Sequence, residues 1–256
     1  MSELAFSFGR IAAEYDDVRP EYAPEALARA EEALGLDAGS RVVDLAAGSG
    51  KLTRALAGRF AELVAVEPND DMRAILAGRS ADVRVLAGTA ERMPLADDFA
   101  DAVFVGDAFH WFDGPAAVAE LDRVLRPGGG VALLWNLWWE DGDDGTSDSL
   151  DPPLPAAARA LFDEIYVSSG RAAARAEKAD HVAAFAQSPF GPLEVERFEQ
   201  QRPLSGAEVI ALYSTTSAVA SLPPNDRVAL KRKLVPLLEP EYRLRITTVL
   251  YWGRRG

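Results

Sequence analysis

Short apolar segments alternate with helix-forming segments through the first half of this 256-residue chain, and this alternation restricts the possible folds most strongly. Strands are predicted at 41–46, 62–67, 82–87, 101–105 and 131–135. Several of these segments are apolar on both faces, as parallel strands are when helices cover both sides of the sheet. Repeated β-α-β units with right-handed crossovers give a doubly wound α/β sheet.

The pattern changes after residue 135. A stretch rich in Asp, Gly, Ser and Pro (140–155) predicts an acidic loop. Further helices are predicted at 156–186, 206–220 and 226–238, and further strands at 193–199 and 242–252. The second half of the chain therefore combines a helical region with two late strands.

Composition excludes several kinds of site. The chain contains no cysteine, which rules out disulfides, thiolate metal sites and cysteine nucleophiles. Because it has only two histidines, His110 and His181, a histidine-rich metal site is not expected, and we predict no metal. The formal net charge of −13 opposes binding to nucleic acid, which requires a positive field.

The distribution of apolar residues indicates where in the cell the protein is expected. No apolar run approaches the roughly 20 residues that span a bilayer. The first ten residues lack a basic region followed by a long apolar stretch, so no signal peptide is predicted. We therefore expect a cytoplasmic enzyme without a membrane or nucleic-acid partner.

A glycine-rich turn follows the first predicted strand. The segment from Asp44 to Gly50 reads Asp-Leu-Ala-Ala-Gly-Ser-Gly, and Gly48 and Gly50 let the backbone turn tightly and approach a ligand closely. A helix that begins near Lys51 would direct its N–H groups toward the same space and favour an anionic ligand group. Ligands of open α/β sheets bind at this edge of the sheet.

Two other nucleotide-binding motifs fit this turn less well. A P-loop requires a glycine where the chain has Leu45 and a Ser or Thr where it has Leu52. A dinucleotide-binding motif matches at Gly48 and Gly50, but Thr53 replaces its third glycine. Glu67 follows the second strand about 20 residues later, where a carboxylate can accept hydrogen bonds from ribose hydroxyls. That carboxylate fits NAD and S-adenosylmethionine equally.

Five ordered segments resemble motifs of the class I S-adenosylmethionine-dependent methyltransferases. The turn from Asp44 to Gly50 resembles the first motif of the family, with Ala46 in place of its usual first glycine. The other four segments are 66–72, 88–94, 109–112 and 123–129. They resemble, in order, the acidic ribose motif, the segment that lines adenine, an aromatic and histidine cluster, and the turn before the fifth strand.

The resemblance implies a seven-stranded, mostly parallel, Rossmann-like methyltransferase sheet and S-adenosyl-L-methionine as cofactor, with S-adenosyl-L-homocysteine as product. The segments 8–22 and 204–238 further resemble the N-terminal lid and the helical cap, respectively, of the trans-aconitate-methyltransferase-like small-molecule group. One domain is then expected, with a helical lid (1–38), a cofactor-binding core (39–136), and a substrate cap with the last two strands (137–256). The implied cofactor-binding residues are Tyr15, Arg19, Asp44, Ala46, Gly48, Gly50, Glu67, Pro68, Met72, Thr89, Ala90, Glu91 and Gly106.

An acceptor site is predicted beside the cofactor. His110 follows the fourth strand on the ligand side and is our candidate general base, since the unperturbed histidine pKa of about 6.5 suits proton transfer near neutrality. The alternative is a histidine that only packs the cap. Trp111, Phe112, Trp138 and Trp139 are predicted to wall an apolar substrate pocket. Trp135 lies inside the fifth strand, where core packing is the favoured interpretation.

Three functions remain open from the sequence. The favoured one is methyl transfer from S-adenosylmethionine to a small molecule by in-line displacement, for which positioning of the reactants is the main requirement. A nicotinamide-dependent oxidoreductase is less favoured because the third glycine is missing. A non-catalytic cofactor-binding module is the third, since a fold alone does not determine function. We expect a monomer or a homodimer.

Overall fold

A seven-stranded sheet forms the centre of the molecule. The computed structural model describes residues 18–137, 139–140, 149–150, 154–168 and 182–256. The strands are β1 (Arg41–Leu45), β2 (Glu62–Val66), β3 (Arg84–Leu86), β4 (Ala100–Gly106), β5 (Leu125–Leu137), β6 (Trp139–Glu140), β7 (Ser149–Leu150), β8 (Glu194–Ser205) and β9 (Glu241–Arg254).

The sheet has the order β3-β2-β1-β4-β5-β9-β8. Strands β1 to β5 pair in parallel, and β9 runs antiparallel to both of its neighbours, β5 and β8. β6 and β7 form a separate antiparallel pair. This architecture confirms the predicted mostly parallel, seven-stranded α/β fold. The third strand is shorter than predicted, and the two late strands are longer.

Helices cover both faces of this sheet. The described α-helices are α1 (Pro24–Leu34), α2 (Lys51–Leu56), α3 (Asp70–Arg79), α4 (Gly114–Val124), α5 (Ala156–Ser168), α6 (Gly206–Ser214), α7 (Ser217–Ala220) and α8 (Pro224–Leu234). Short 3₁₀ turns occur at Phe109–Trp111, Ala183–Phe185 and Val235–Leu237. None of the described helices is long and apolar enough to cross a membrane.

Side-chain caps mark where three of these helices begin. Asn69 accepts a hydrogen bond from the Met72 N–H at the start of α3, and Asp113 does the same for α4. Ser205 and Glu208 form a reciprocal capping box at the start of α6. Each side chain satisfies an N–H that the first turn leaves without an intrahelical partner. These capping side chains fix the residues at which α3, α4 and α6 begin.

The alternation of side chains along each strand produces two core layers. Val43 and Val103 face α4, where Leu121 packs against the same cluster. Their neighbours in sequence, Val42 and Phe104, face the opposite side and pack with α1 and α2. Successive residues of a strand point to opposite faces, so strands that are apolar throughout can bury both sides.

The C-terminal helices have a hydrophobic cluster of their own. Phe162 of α5, Ile210 and Tyr213 of α6 and Leu234 of α8 pack together with Ile246 near the beginning of β9. This cap is thus attached to the sheet through the two long antiparallel strands. It extends beyond the end of β5, on the side where the parallel strands end.

Two helical predictions differ from the structure. The described helix that begins at Ala156 is bounded at Ser168, and residues 169–181 of the predicted helix lie outside the described residues, whereas residues 183–185 form a 3₁₀ turn in place of the predicted α-helix. The helix predicted at 206–220 is interrupted between α6 and α7. There the hydroxyls of Thr215 and Thr216 donate to the carbonyl oxygens of Leu212 and Tyr213 at 2.6 and 2.8 Å. Such local hydrogen bonds from Thr compete with continued helix.

Candidate active site

The glycine-rich turn after β1 has a backbone conformation that ordinary residues rarely adopt. Gly48 and Gly50 have φ of 58° and 90°, and Ala46 has φ of 55° despite carrying a side chain. A Cβ on Gly50 would lie 3.0 Å from Leu76 Cγ, whereas a Cβ on Gly48 would meet nothing within 4 Å. The positive φ and the close approach of Leu76 therefore favour glycine at Gly50, and open space adjoins the Gly48 α-carbon, where a ligand can approach the main chain.

Glu67 joins this turn to the beginning of α3. Its side chain is only 6% exposed, and its two oxygens accept hydrogen bonds from the N–H groups of Gly48 and Asn69, each at 2.9 Å. Burial raises the pKa of Glu67, and the two backbone N–H groups offset part of that rise. Each carboxylate oxygen has a further lone pair, so Glu67 can still accept from a pair of ribose hydroxyls.

Asp44, at the carboxyl end of β1, is more deeply buried. It is 1% exposed, and its Oδ2 accepts a hydrogen bond from Thr53 Oγ1 at 2.5 Å. Its Oδ1 has no hydrogen-bond partner among the described residues. Burial raises the pKa of Asp44 to about 7, the hydrogen bond from Thr53 opposes this rise, and nearby Glu67 adds to it. An unsatisfied buried oxygen next to the predicted ligand-binding turn calls for an explanation, and a polar ligand group is one partner that it could accept from.

The residues predicted to surround adenine lie beyond β2 and β3. Met72 is buried in the first turn of α3, and Ala90 is buried as well. Thr89 and Arg92 exchange two backbone hydrogen bonds of 3.2 Å, which close the loop after β3. Glu91 Oε1 accepts from the Asp113 N–H at 3.1 Å, which ties the loop to the start of α4. Pro68, half-buried, directly follows Glu67.

Sequence reasoning missed an acidic residue at the end of β4. Asp107 follows the predicted Gly106 and has φ of 50°, a left-handed conformation that is uncommon for a residue with a side chain. Asp107 accepts hydrogen bonds from the Tyr22 hydroxyl at 3.1 Å and the Asn136 N–H at 3.2 Å. Enclosure of its carboxylate raises the pKa to about 6, although the positive charge of Arg19 opposes this.

Tyr22 is a second missed residue at the same place. Its hydroxyl lies so close to Gly106 that a Cβ there would overlap it, and that Cβ would also approach Leu52 of α2. The buried ring belongs to the core layer beneath α1. An aspartate directly after an apolar strand was the available signal for Asp107. For Tyr22 no local pattern distinguished it from the predicted Tyr15.

Arg19 lies between the N-terminal segment and the cap. Its Nε donates to Thr215 Oγ1 at 2.9 Å, and a second guanidinium nitrogen donates to the Thr215 carbonyl oxygen at 3.1 Å. Its charge also influences Asp107 at the end of β4. Arg19 therefore connects the cap to the end of β4, and its predicted role in cofactor binding stays a prediction.

A buried asparagine attaches the N-terminal segment to the sheet. Asn136 of β5 donates from Nδ2 to the carbonyl oxygens of Pro20 and Glu21 at 3.0 and 3.1 Å. Its Oδ1 accepts from Thr248 Oγ1 at 2.6 Å, and Thr248 in turn accepts from the Ala23 N–H at 3.0 Å. This network positions the segment that carries Tyr22 against the ends of β4 and β5.

Aromatic side chains and His110 gather on the other face of the sheet, beyond β4. His110 and Trp111 belong to the 3₁₀ turn that follows β4, with ring centroids 4.7 Å apart. Phe112 and Trp135 pack against the same core layer. Trp135 Nε1 donates a hydrogen bond to His110 Nδ1 at 3.3 Å. Trp135, for which core packing was the favoured interpretation, thus also contacts the candidate catalytic histidine.

The structure does not describe the side chains of three residues that were predicted to belong to the site. Tyr15 and Trp138 lie outside the described residues. The backbone of Trp139 pairs with Leu150 in the short β6–β7 ladder, and its side chain is not described. Their predicted roles in cofactor and substrate binding stay predictions.

The comparison with known proteins agrees with this geometry. Residues 43–133 match the family described as "Methyltransferase domain". A Mycobacterium tuberculosis methyltransferase whose reaction is uncharacterized is 43% identical over 134 residues, which cover 52% of this chain and 54% of that protein. The demethylmenaquinone methyltransferase of a Mycobacterium species is 41% identical over 102 residues, 40% of this chain and 44% of that protein. The chain thus spans about half the length of the curated relatives it matches.

Solved structures share the fold over nearly the whole chain. A protein from Anaeromyxobacter dehalogenans, assigned as a Type II methyltransferase, superposes with a TM-score of 0.62 and 23% identity, covering 92% of this chain and 97% of that one. A protein from Bacillus halodurans, assigned as a methyltransferase, gives a TM-score of 0.56 and 19% identity over 90% of this chain and 98% of that one. At these identities the likeness concerns the fold alone.

The sheet order, the glycine turn with its acidic partner after β2, and the family match all agree with a methyltransferase domain. Residues 43–133 of the chain match the methyltransferase domain, and the seven-stranded sheet agrees with the Rossmann-like fold that the resemblance implied. The match over residues 43–133 supports the methyltransferase domain that the five sequence motifs implied. The comparisons do not distinguish the trans-aconitate-methyltransferase-like group, which stays a prediction.

Proposed function

We propose that this protein transfers the methyl group of S-adenosylmethionine to a small-molecule acceptor by in-line displacement. The observation that carries the proposal is the connection between the glycine turn and Glu67. A backbone N–H of the turn, that of Gly48, donates to the carboxylate placed to accept from a ribose. The methyltransferase domain match covers both features.

The residues of the turn and its surroundings fit this cofactor. Glu67 would accept from the ribose hydroxyls, and Met72 with the loop 88–94 would enclose the adenine. The open space at Gly48 would give room for the amino-acid end, and the unsatisfied Oδ1 of Asp44 is a buried acceptor at the adjoining end of β1. When bound, S-adenosylmethionine supplies a sulfonium methyl whose carbon–sulfur bond breaks, with its electron pair going to sulfur, as an acceptor lone pair forms the new bond.

Two features support a small acceptor. The net charge of −13 disfavours nucleic acid as a substrate. The cap has a hydrophobic cluster of its own, and the hydrogen bond between Arg19 and Thr215 links it to the N-terminal segment. A cap of this kind encloses a small molecule and excludes water from the reacting atoms. The relative named demethylmenaquinone methyltransferase is consistent with such an acceptor.

Calorimetric titration of the purified protein with S-adenosylmethionine, S-adenosylhomocysteine and NAD⁺ tests the cofactor. Micromolar binding of the first two, without binding of NAD⁺, is expected. The next step is a screen of small molecules with a labelled methyl group on the cofactor. Binding of NAD⁺ alone would favour the nicotinamide-dependent oxidoreductase, and tight cofactor binding without any methylated product would favour a non-catalytic module.

Glu67→Ala should weaken binding of S-adenosylhomocysteine by roughly 1.5–3 kcal/mol, the value of a hydrogen-bonded pair that involves a charge. The change removes the ribose acceptor and also leaves the Gly48 and Asn69 N–H groups without their partner. Calorimetry at neutral pH measures the affinity. Glu62→Gln is the matched control, because Glu62 lies at the opposite end of β2. Equal affinities for the Glu67 variant and wild type would remove Glu67 from the cofactor site.

Gly48→Ala should weaken cofactor binding about tenfold, because its Cβ would occupy the open space next to the turn. The positive φ of Gly48 adds a stability cost of about 1 kcal/mol for any side chain. Gly58→Ala is the control, since Gly58 also has a positive φ and open space but lies outside the site. Both variants should lose similar stability in urea denaturation, and only Gly48→Ala should lose affinity. A shared loss of affinity would point to general destabilisation instead.

A further inference from the structure

We propose that Trp135 holds His110 with its ring proton on Nε2, so that His110 binds the methyl acceptor as a hydrogen-bond donor and not as the base. The proposal rests on the proposed methyl transfer for its functional part. It assigns to Trp135 a positioning role beyond core packing. It also gives His110 a role opposite to proton removal.

The contact between the two rings carries the argument. Trp135 Nε1 donates to His110 Nδ1 at 3.3 Å. An indole N–H can only donate, so Nδ1 must offer a lone pair. A neutral imidazole carries one proton, which therefore resides on Nε2.

Both rings are held by neighbours. Trp135 packs edge-to-face on Tyr251 of β9, with ring centroids 5.6 Å apart. The His110 ring packs against Trp111, and its turn begins directly after β4 with a backbone hydrogen bond from the Trp111 N–H to the Ala108 carbonyl oxygen at 2.9 Å. β4 and β5 are adjacent strands, so the two side chains are presented from a rigid part of the sheet.

This arrangement disfavours His110 as a base. The lone pair on Nδ1 already accepts a hydrogen bond from Trp135 Nε1. A proton added to Nδ1 would place two N–H groups against each other. The Nε2–H can instead donate to an oxygen of the acceptor. The chemistry recognised is thus a small molecule with a hydrogen-bond-accepting oxygen at or next to the methylated atom, held among aromatic rings.

Nitrogen NMR of the ligand-free protein tests the ring state without any methyl transfer. The chain has two histidines, so His181→Ala assigns the His110 signals. At about pH 8.5, well above the unperturbed histidine pKa, His110 Nδ1 should have the shift of an unprotonated nitrogen and Nε2 that of a protonated one. The Trp135 indole N–H, identified by its loss in Trp135→Phe, should shift in His110→Ala and stay unchanged in His181→Ala. A proton on Nδ1, or an indole signal indifferent to His110→Ala, would overturn the proposal.

The donor role is tested with an acceptor found in the labelled-methyl screen. Glutamine has an amide N–H near the position of Nε2 and cannot act as a base. His110→Gln should therefore keep most of the turnover, while His110→Ala should lose about tenfold, as for one hydrogen bond. Loss of about 100-fold or more in both variants would indicate a general base and sink the donor role. Because the NMR result does not depend on turnover, failure of the inference is distinguishable from failure of the proposed function.

Discussion

The free energy of unfolding of the ligand-free protein is expected to fall by roughly 3 kcal/mol between about pH 5 and pH 8 because of Asp44 alone. Burial raises the pKa of this carboxyl from 3.8 to about 7. Below the unfolded pKa both states are protonated. Between the two values the unfolded chain ionises while the folded protein keeps the proton, so stability decreases as the pH rises, and above about 7 the decrease ends.

Asp44→Asn should remove most of this dependence. The asparagine keeps an oxygen that can accept from Thr53 Oγ1, and it never ionises. Urea denaturation of both proteins at pH 5, 6, 7 and 8 measures the difference. Some decrease should remain in the variant, because burial also raises the pKa values of Asp107 and Glu67. Asp82→Asn, at an exposed position, is the control and should follow the wild-type curve.

A wild-type stability that is flat from pH 5 to 8 would contradict the assignment. So would a variant whose stability falls as steeply as that of the wild type. Either result would mean that Asp44 ionises in the folded protein at its ordinary pKa. The same titration bears on function, since a carboxyl with a pKa near 7 can change its charge when a cationic ligand group binds beside it.

Asn136→Ala is expected to lower the free energy of unfolding by about 3 kcal/mol. Asn136 is 2% exposed, and the change removes its hydrogen bonds to the Pro20 carbonyl oxygen and the Thr248 hydroxyl, whereas the Glu21 carbonyl oxygen keeps the hydrogen bond from Gln200. Each buried polar group left unsatisfied costs about 1–3 kcal/mol. Two such groups lose this partner, and relaxation around the smaller residue offsets part of the total.

Gln200→Ala provides the matched control for Asn136. Gln200 Nε2 donates to the same Glu21 carbonyl oxygen at 2.8 Å, but from an exposed position where water can replace it. Its loss should cost less than about 0.5 kcal/mol. Urea denaturation gives the stabilities, and limited proteolysis should show the segment around Glu21 becoming accessible only in Asn136→Ala. Equal losses in the two variants would show that the buried network contributes nothing beyond one exposed bond.

The arrangement of the parallel sheet could be predicted from the sequence because it depends on local patterns. Each of the five parallel strands was predicted from a short apolar segment, and the right-handed β-α-β rule then gave their arrangement. The starts of α3 and α4 are marked by Asn69 and Asp113, because each side chain accepts a hydrogen bond from the backbone N–H three residues later. Helix ends in the cap were less predictable, since Thr215 and Thr216 form hydrogen bonds that compete with the helix.

The glycine turn and Glu67 were also accessible to sequence reasoning. Positive φ at Gly48 and Gly50 is a property of the residues themselves, and the position of Glu67 after β2 follows from the strand pattern. That Glu67 accepts from the Gly48 N–H follows once both strands are parallel and adjacent. These features are local or one strand apart.

By itself, the sequence determined the class of fold, the glycine-rich turn after β1 and the acidic residue after β2 that pairs with this turn. Only the tertiary structure decided that Asp107 meets Tyr22, that Asn136 bonds Thr248 and that Arg19 reaches Thr215. Side-chain period and backbone preference are encoded over a few residues, whereas these pairs are separated by 85, 112 and 196 positions. A polar residue inside an apolar strand indicates that it needs a buried partner, and only the packing of distant segments determines which partner it finds.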